Sequence, residues 1–282
     1  MIKVKNLKKN YSEFNLNINL EIPEGRITGI VGKNGAGKST TIKAILGLIE
    51  PDSGFASILG KNSHELSVHD RTMIGVSMAE SGFSPYLRIS DVNKILKKCY
   101  PEYEEPVFLK LCHDMGLPLN KQIKGLSTGM KAKLRVIVAL THKAKVLVLD
   151  EPTSGLDVEA RGEVLDLIRE YLIEDESRSV LITSHISSDL ENICDDIYLI
   201  HKGEVILHED TDVILGSYGV LKVDEELYSK LDKQYIIKTK KEAYGFSCFT
   251  NEKQYYLENY PGITIENGRI DELILMLTGG VK

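Results

Sequence analysis

Lys38 and Ser39 sit near the end of a run, "GKNGAGKST" from Gly32 to Thr40, in which glycine recurs at positions 32, 35 and 37. The spacing is G-x-x-x-x-G-K-[ST], that of a phosphate-binding loop. It stands after the apolar segment "RITGIV" and before "IKAILGLI", as a loop joining a buried strand to an apolar helix must. Gly35 and Gly37 can turn backbone N–H groups toward phosphate oxygens with no Cβ in the way. A helix beginning near Lys38 aims its positive dipole end at the same anion. Lys38 adds a mobile positive charge for terminal phosphates. Ser39 offers a hydroxyl to Mg²⁺, and Thr40 and Thr41 cap or pack the first helical turn.

A second chemical group closes the apolar run "VLVLDE", Val146 to Glu151. Two acids at the carboxyl end of a strand lie at the sheet edge where ligands gather in open α/β folds, the edge that also carries the loop after Gly32. Asp150 there suits a role on Mg²⁺, and Glu151 suits a role on a water that attacks a γ-phosphate.

These groups need a sheet to position them. "NLNINLEIPEGRITGIVG" alternates apolar and polar residues and then becomes continuously apolar, as an edge strand, a turn and a central strand would. "KVLVLD" and "SVLITSHISSDLENICDDIYLIHKGEVI" supply further buried strands, each followed by turn residues and a helical pattern, which predicts a parallel α/β core. A mostly helical block spans about 90–141. Beyond Glu209 lie seven of the thirteen tyrosines, with short strand-like segments and one final helix, "IDELILMLT". That part is expected to form a small appended α+β domain.

Composition bounds the class. With 282 residues, 42% hydrophobic and 27% charged, the chain can bury a full core. Its net charge of −6 argues against holding nucleic acid by bulk electrostatics, and no nucleic-acid partner is expected. The N-terminus lacks the apolar stretch of a secretory signal, and no apolar run approaches the ~20 residues of a membrane span. Cys99, Cys112, Cys194 and Cys248 stand far apart with no C-x-x-C pair, which fits reduced, buried thiols.

The segment "KGLSTGMKAKLRVIVAL", Lys124 to Leu140, resembles the L-S-G-G-Q signature of ATP-binding-cassette (ABC) proteins and precedes the acidic strand as in that family. Leu126, Ser127 and Gly129 are kept, whereas Thr128 and Met130 depart from the pattern. A serine cap and a glycine at a helix N-terminus make an anion site, which in this family faces the ATP held by the other subunit. The resemblance runs from Met1 to about His208. It places Tyr11 on the adenine ring and Asp157, in "SGLD", at the dimer interface, and makes His185 the switch histidine at the γ-phosphate. It gives the phosphates to Gly32, Asn34, Gly35, Gly37, Lys38, Ser39 and Thr40.

Glu151 and His185 are then the catalytic pair, and Ser39, Asp150 and Glu80 the residues at Mg²⁺. Glu80 falls where the family has a glutamine, with Ala79 as the alternative alignment, which puts coupling and turnover in question. The expected architecture is a P-loop cassette, residues 1–208, with a parallel core sheet, an antiparallel N-terminal β-subdomain and a helical signature subdomain at about 82–141. An accessory domain follows at 209–282, expected to be dispensable for nucleotide binding because it carries no family motif.

The resemblance implies an ATP hydrolase that dimerises with itself or a related subunit. It would power a separate transmembrane permease from the cytoplasmic face of the membrane. "STGM", the single cassette and the tail look most like the bacterial exporters of antibiotics, peptides or lipid-like compounds. Two rivals stand beside that: a soluble cassette ATPase uncoupled from transport, and an ATP-sensing module with little turnover.

Overall fold

The computed structural model describes residues 1–78 and 82–279, so Glu80 and its alternative Ala79 lie outside the described residues. Ten strands form one sheet: β1 (Ile2–Asn10), β2 (Asn15–Ile22), β3 (Ile27–Val31), β4 (Ser53–Ile58), β5 (Lys61–Asn62), β6 (Ile74–Ser77), β7 (Val146–Asp150), β8 (Ser179–Thr183), β9 (Asp196–His201) and β10 (Glu204–Asp210). Their spatial order is β5-β4-β1-β2-β10-β9-β3-β8-β7-β6. The run β9-β3-β8-β7-β6 is parallel throughout, and β5-β4-β1-β2 is antiparallel. The expected parallel core and antiparallel N-terminal part are therefore one continuous sheet. They are bridged by β10, antiparallel to β9 and parallel to β2.

Strand character follows from which faces are covered. In β2 the alternation is strict: Leu16, Ile18, Leu20 and Ile22 are buried and the residues between them exposed. In β7 all five residues are buried. Leu147 and Leu149 enter the core under the helices, while Val146 and Val148 enter the core shared with β1, β2 and β4. A strand covered on both sides must be apolar at every position, which is why "VLVL" precedes the acids.

Helix α1 (Lys38–Ile45) follows the glycine loop, and α2 (Val68–Thr72) precedes β6. The helical subdomain is α3 (Ile89–Cys99), α4 (Glu105–Asp114) and α5 (Thr128–Leu140), packed around Val92, Leu96, Phe108 and Ala132. Helices α6 (Val158–Ile173) and α7 (Ser187–Ile193) cross between later strands.

The tail contains α8 (Thr211–Ser217), β11 (Gly219–Val223), α9 (Glu225–Lys230), β12 (Ile236–Glu242), β13 (Gly245–Thr250), α10 (Lys253–Asn259), β14 (Thr264–Asn267) and α11 (Ile270–Thr278). Its strands form a separate antiparallel sheet, β12-β13-β11-β14, over a small core of Leu221, Val223, Leu231, Cys248 and Tyr256. Three details differ from the sequence expectation. The boundary expected between residues 208 and 209 falls inside β10, which runs to Asp210 in register with Asp196. Helix α11 leaves the small sheet and buries Ile270, Leu273 and Met276 in the same core as Leu190 and Ile193. Cys99 also differs, being exposed where buried thiols were expected; the other three cysteines are buried.

Candidate active site

The floor of the site is the loop between β3 and α1. Gly37 has φ +115°, and a Cβ there would stand 2.8 Å from Phe14 Cζ and 3.0 Å from Leu16 Cδ1, so only glycine lets α1 start this close to β2. Lys38 is 7% exposed and its Nζ donates to the Gly32 carbonyl at 2.8 Å, which folds the ammonium back over its own loop. Thr41 Oγ1 donates to the Gly37 carbonyl at 2.9 Å and closes the first turn. A cleft of about 590 Å³ opens above, lined by Glu13, Phe14, residues 34–40 and Glu151.

The acids arrive from β7. Asp150 is 5% exposed, and one of its carboxylate oxygens accepts from the Thr183 hydroxyl at 2.6 Å. That same hydroxyl accepts the Glu151 backbone N–H at 3.0 Å. Thr183, at the end of the neighbouring parallel strand β8, therefore ties both acids to one point. Glu151 itself has φ +52°, a left-handed conformation that costs a non-glycine residue about 1 kcal/mol. It turns the chain out of the strand and into the cleft. There the Glu151 carboxylate accepts from the His185 backbone N–H at 3.1 Å and meets His185 Nδ1 through the same oxygen. The His185 side chain remains 51% exposed, against 22% for Glu151, so the carboxylate is the sheltered member of the pair.

Other expected residues lie elsewhere. Ser127 caps α5, its hydroxyl accepting the Met130 N–H at 3.2 Å, and Asp157 caps α6, accepting the Ala160 N–H at 2.9 Å. Their loops abut: a Cβ on Gly155 would stand 2.8 Å from Thr128 Cγ2, and one on Gly129 would stand 3.2 Å from Leu156 Cδ2. None of Ser127, Gly129 and Asp157 lines the glycine-loop cleft. The chain thus carries two separate loci, one around Lys38 and Glu151 and one around Ser127. Tyr11 is 44% exposed, with its ring centroid 6.2 Å from that of Phe14. Phe14 lines the cleft, and sequence reasoning passed over it because a lone aromatic before an edge strand carries no signal. Thr183 was also missed, although a hydroxyl residue closing the apolar strand "SVLIT" was a usable cue.

Comparison with known proteins fits this geometry. A family model described as ABC transporter matches residues 16–154. The chain is 34% identical over 217 residues to the lantibiotic transport ATP-binding protein SrtF of Streptococcus pyogenes, a match covering 75% of this chain and 92% of that protein. It belongs to the ABC transporter family. As an ABC cassette it is also 33% identical over 210 residues to the bacitracin transport ATP-binding protein BcrA of Bacillus licheniformis, across 73% of this chain and 68% of the relative. A solved ATP-binding subunit of an ABC transporter superposes with TM-score 0.69 at 27% identity, covering 76% of this chain and 91% of that one. A dimeric bacterial ABC transporter cassette superposes with TM-score 0.67 at 25% identity, covering 75% and 99%.

The biochemical role is accordingly that of the ATP-binding and hydrolysing subunit of an ABC transporter. No helix among the described residues is long and apolar enough to cross a membrane, and the similarity to transport ATP-binding proteins implies a membrane partner.

Proposed function

We propose that this cassette drives an exporter of antibiotic, peptide or lipid-like compounds from the cytoplasmic face of the membrane, and that two cassettes close over two ATP molecules. The observation that carries the dimer is the separation of the loci: the glycine-loop cleft excludes Ser127, Gly129 and Asp157, so each chain supplies half of two sites. Phosphates lie on the N–H groups of residues 34–40 with Lys38, and the adenine ring lies beside Phe14 and Tyr11. Glu151, held by His185, takes the proton of the attacking water. The donor set suits Mg²⁺. Ser39 is exposed in the cleft, and Asp150, with one oxygen on Thr183, keeps the other for a water of the ion's shell. Bound there, the ion would neutralise charge on the terminal phosphates.

The membrane partner has a docking place. Two adjoining pockets share Val76 and Val138: one is lined also by Met78, Phe83, Lys131 and Arg135, the other by Leu48, Tyr100 and Arg71. Leu48 is 57% exposed there and Val76 37% exposed. A short amphipathic helix of the permease fits such a pair of pockets. The substrate class follows that of the lantibiotic and bacitracin transport relatives.

The dimer is tested by mixing. Lys38→Ala and Ser127→Arg chains, each inactive alone, should recover ATPase activity together, because one site of the mixed dimer is intact. Absence of recovery across mixing ratios would count against the two-half-site arrangement. The exporter reading is tested by isolating the cassette from native membranes in detergent, where a stoichiometric multi-span subunit is expected. Isolation of the cassette alone would remove that reading.

A further inference from the structure

Helix α11 touches both the helix that follows His185 and the glycine loop. At its start the Ile270 N–H donates to Glu191 Oε1 at 2.8 Å, the Ser187 hydroxyl donates to Asp271 Oδ1 at 2.6 Å, and Arg269 Nε lies 3.8 Å from Glu191 Oε2. Ser187 and Glu191 are four residues apart on α7 and therefore share one helix face. Between them Leu190, fully buried, joins a core with Ile270 and Leu273, both also fully buried. At its other end the Thr278 carbonyl accepts from Lys33 Nζ at 3.3 Å, and Lys33 lies in the glycine loop. Nine residues of helix, roughly 13 Å, thus span from α7 to the phosphate loop. The helix is also tied back to the small sheet, since β14 ends at Asn267 and the Gly268 N–H donates to the Tyr218 carbonyl at 2.9 Å.

We infer that Asp271 is a positioning residue for hydrolysis, setting α7 through Ser187 and, two residues upstream, holding His185 on the Glu151 carboxylate. Ser187 is the first residue of α7 and is 5% exposed, so its hydroxyl has Asp271 where solvent would otherwise be. His185 reaches Glu151 through both a backbone N–H and a ring nitrogen, so a small shift of the α7 start misaligns two contacts together. No group of α11 meets the cleft that holds the loop residues and Glu151. The effect therefore falls on turnover more than on nucleotide binding. It also gives the accessory domain a mechanical route to the site, because any displacement of the small sheet moves the start of α11.

The inference rests on the roles proposed for Glu151 and His185, and the test separates the two. In full-length protein, Asp271→Ala is expected to lower kcat about threefold to tenfold while nucleotide affinity stays within twofold. It should also shift the His185 ring resonance in histidine-labelled protein, assigned by its loss in His185→Gln. Asp271→Asn, which keeps an acceptor for the Ser187 hydroxyl, should restore both. If Asp271→Ala does not fold, Ser187→Ala removes the same bond from the other side and should reproduce the resonance shift. An unmoved His185 resonance, or a kcat loss matched by an equal loss of affinity, overturns the coupling. The resonance is read without turnover, so failure of the catalytic reading leaves it measurable.

Discussion

The Glu151 carboxylate and His185 are joined twice at one oxygen, by the histidine's backbone N–H at 3.1 Å and by its ring Nδ1. Neither contact reaches Lys38, whose ammonium is on the Gly32 carbonyl. The groups proposed to hold phosphate and those proposed to handle the attacking water are therefore separable by mutation. Glu151→Gln is expected to keep ATP affinity within a few-fold, slow hydrolysis by ~100-fold or more, and accumulate an ATP-bound dimer. Single-turnover hydrolysis together with light scattering in ATP checks it; turnover at the wild-type rate would remove Glu151 from the role.

Lys38→Ala should act on the other half. Losing a charge-assisted contact to the terminal phosphates removes about 1.5–3 kcal/mol, roughly tenfold to more than a hundredfold in affinity. Global stability should change little, since the bond lost in the free protein is one link to Gly32. Calorimetric titration with nucleotide reads the first, and thermal unfolding without nucleotide the second.

What the sequence disclosed tracks how local each feature is. The loop, its strand and its helix are contiguous from Ile27 to Ile45, so spacing alone located them. Glu151 and His185 are 34 residues apart and needed a family resemblance to be paired. The placement of α11 was not legible, because "IDELILMLT" shows an apolar helix but not which surface it covers. The insertion of β10 between β2 and β9 was likewise hidden, since sheet order is set by long-range pairing and not by any property of "EVILHED". Glu80 lies outside the described residues, so its proposed place at Mg²⁺ stands on the motif alone.

Thiol chemistry distinguishes the exposed cysteine from the rest. Burial pushes the Cys112 thiol up to about 12 and the Cys194 thiol well above its ordinary value, so neither presents thiolate near neutrality. Cys248 is buried as well, and Cys99 is exposed. Ellman's reagent should titrate one fast thiol per native chain and four after denaturation. Cys99→Ser should abolish the fast phase; two or more fast thiols would mean that one of the cores opens readily.

The tail bears on cassette stability more than its lack of motifs implies. Cutting after His208 shortens β10 by two residues, removes the ion pair between Arg26 and Asp210 at 2.5 Å, and strips Ile270, Leu273 and Met276 from the main core. Leu273→Ala isolates the last effect and should cost about 2–5 kcal/mol in urea unfolding, as for a fully buried leucine. The truncated chain should unfold at a markedly lower temperature and lose nucleotide binding with its fold. A loss under ~1 kcal/mol for Leu273→Ala would mean that α11 is peripheral to the cassette.

Stability should also fall on mild acidification, and His142 gives the direction. The ring is 3% exposed against Tyr100, with Nδ1 3.0 Å from the Val138 carbonyl and Nε2 3.4 Å from that of Ile74. Burial holds its pKa below the ordinary 6.5, an effect that the two carbonyls only partly offset. The unfolded chain therefore binds a proton at a pH where the folded one does not, and protonation favours unfolding. This contribution is complete above the ordinary value and is lost as pH falls below 6.5 toward the lowered folded value. His201, lowered by desolvation and by Lys202 and Lys33, acts in the same window. Asp70, held at about 2 by Lys61 and Ser67, matters only in stronger acid. His142→Gln should thus flatten the fall in melting temperature between about pH 7 and 5 without abolishing it, the remainder coming from His201. A slope unchanged by the substitution would place the acid sensitivity in other groups.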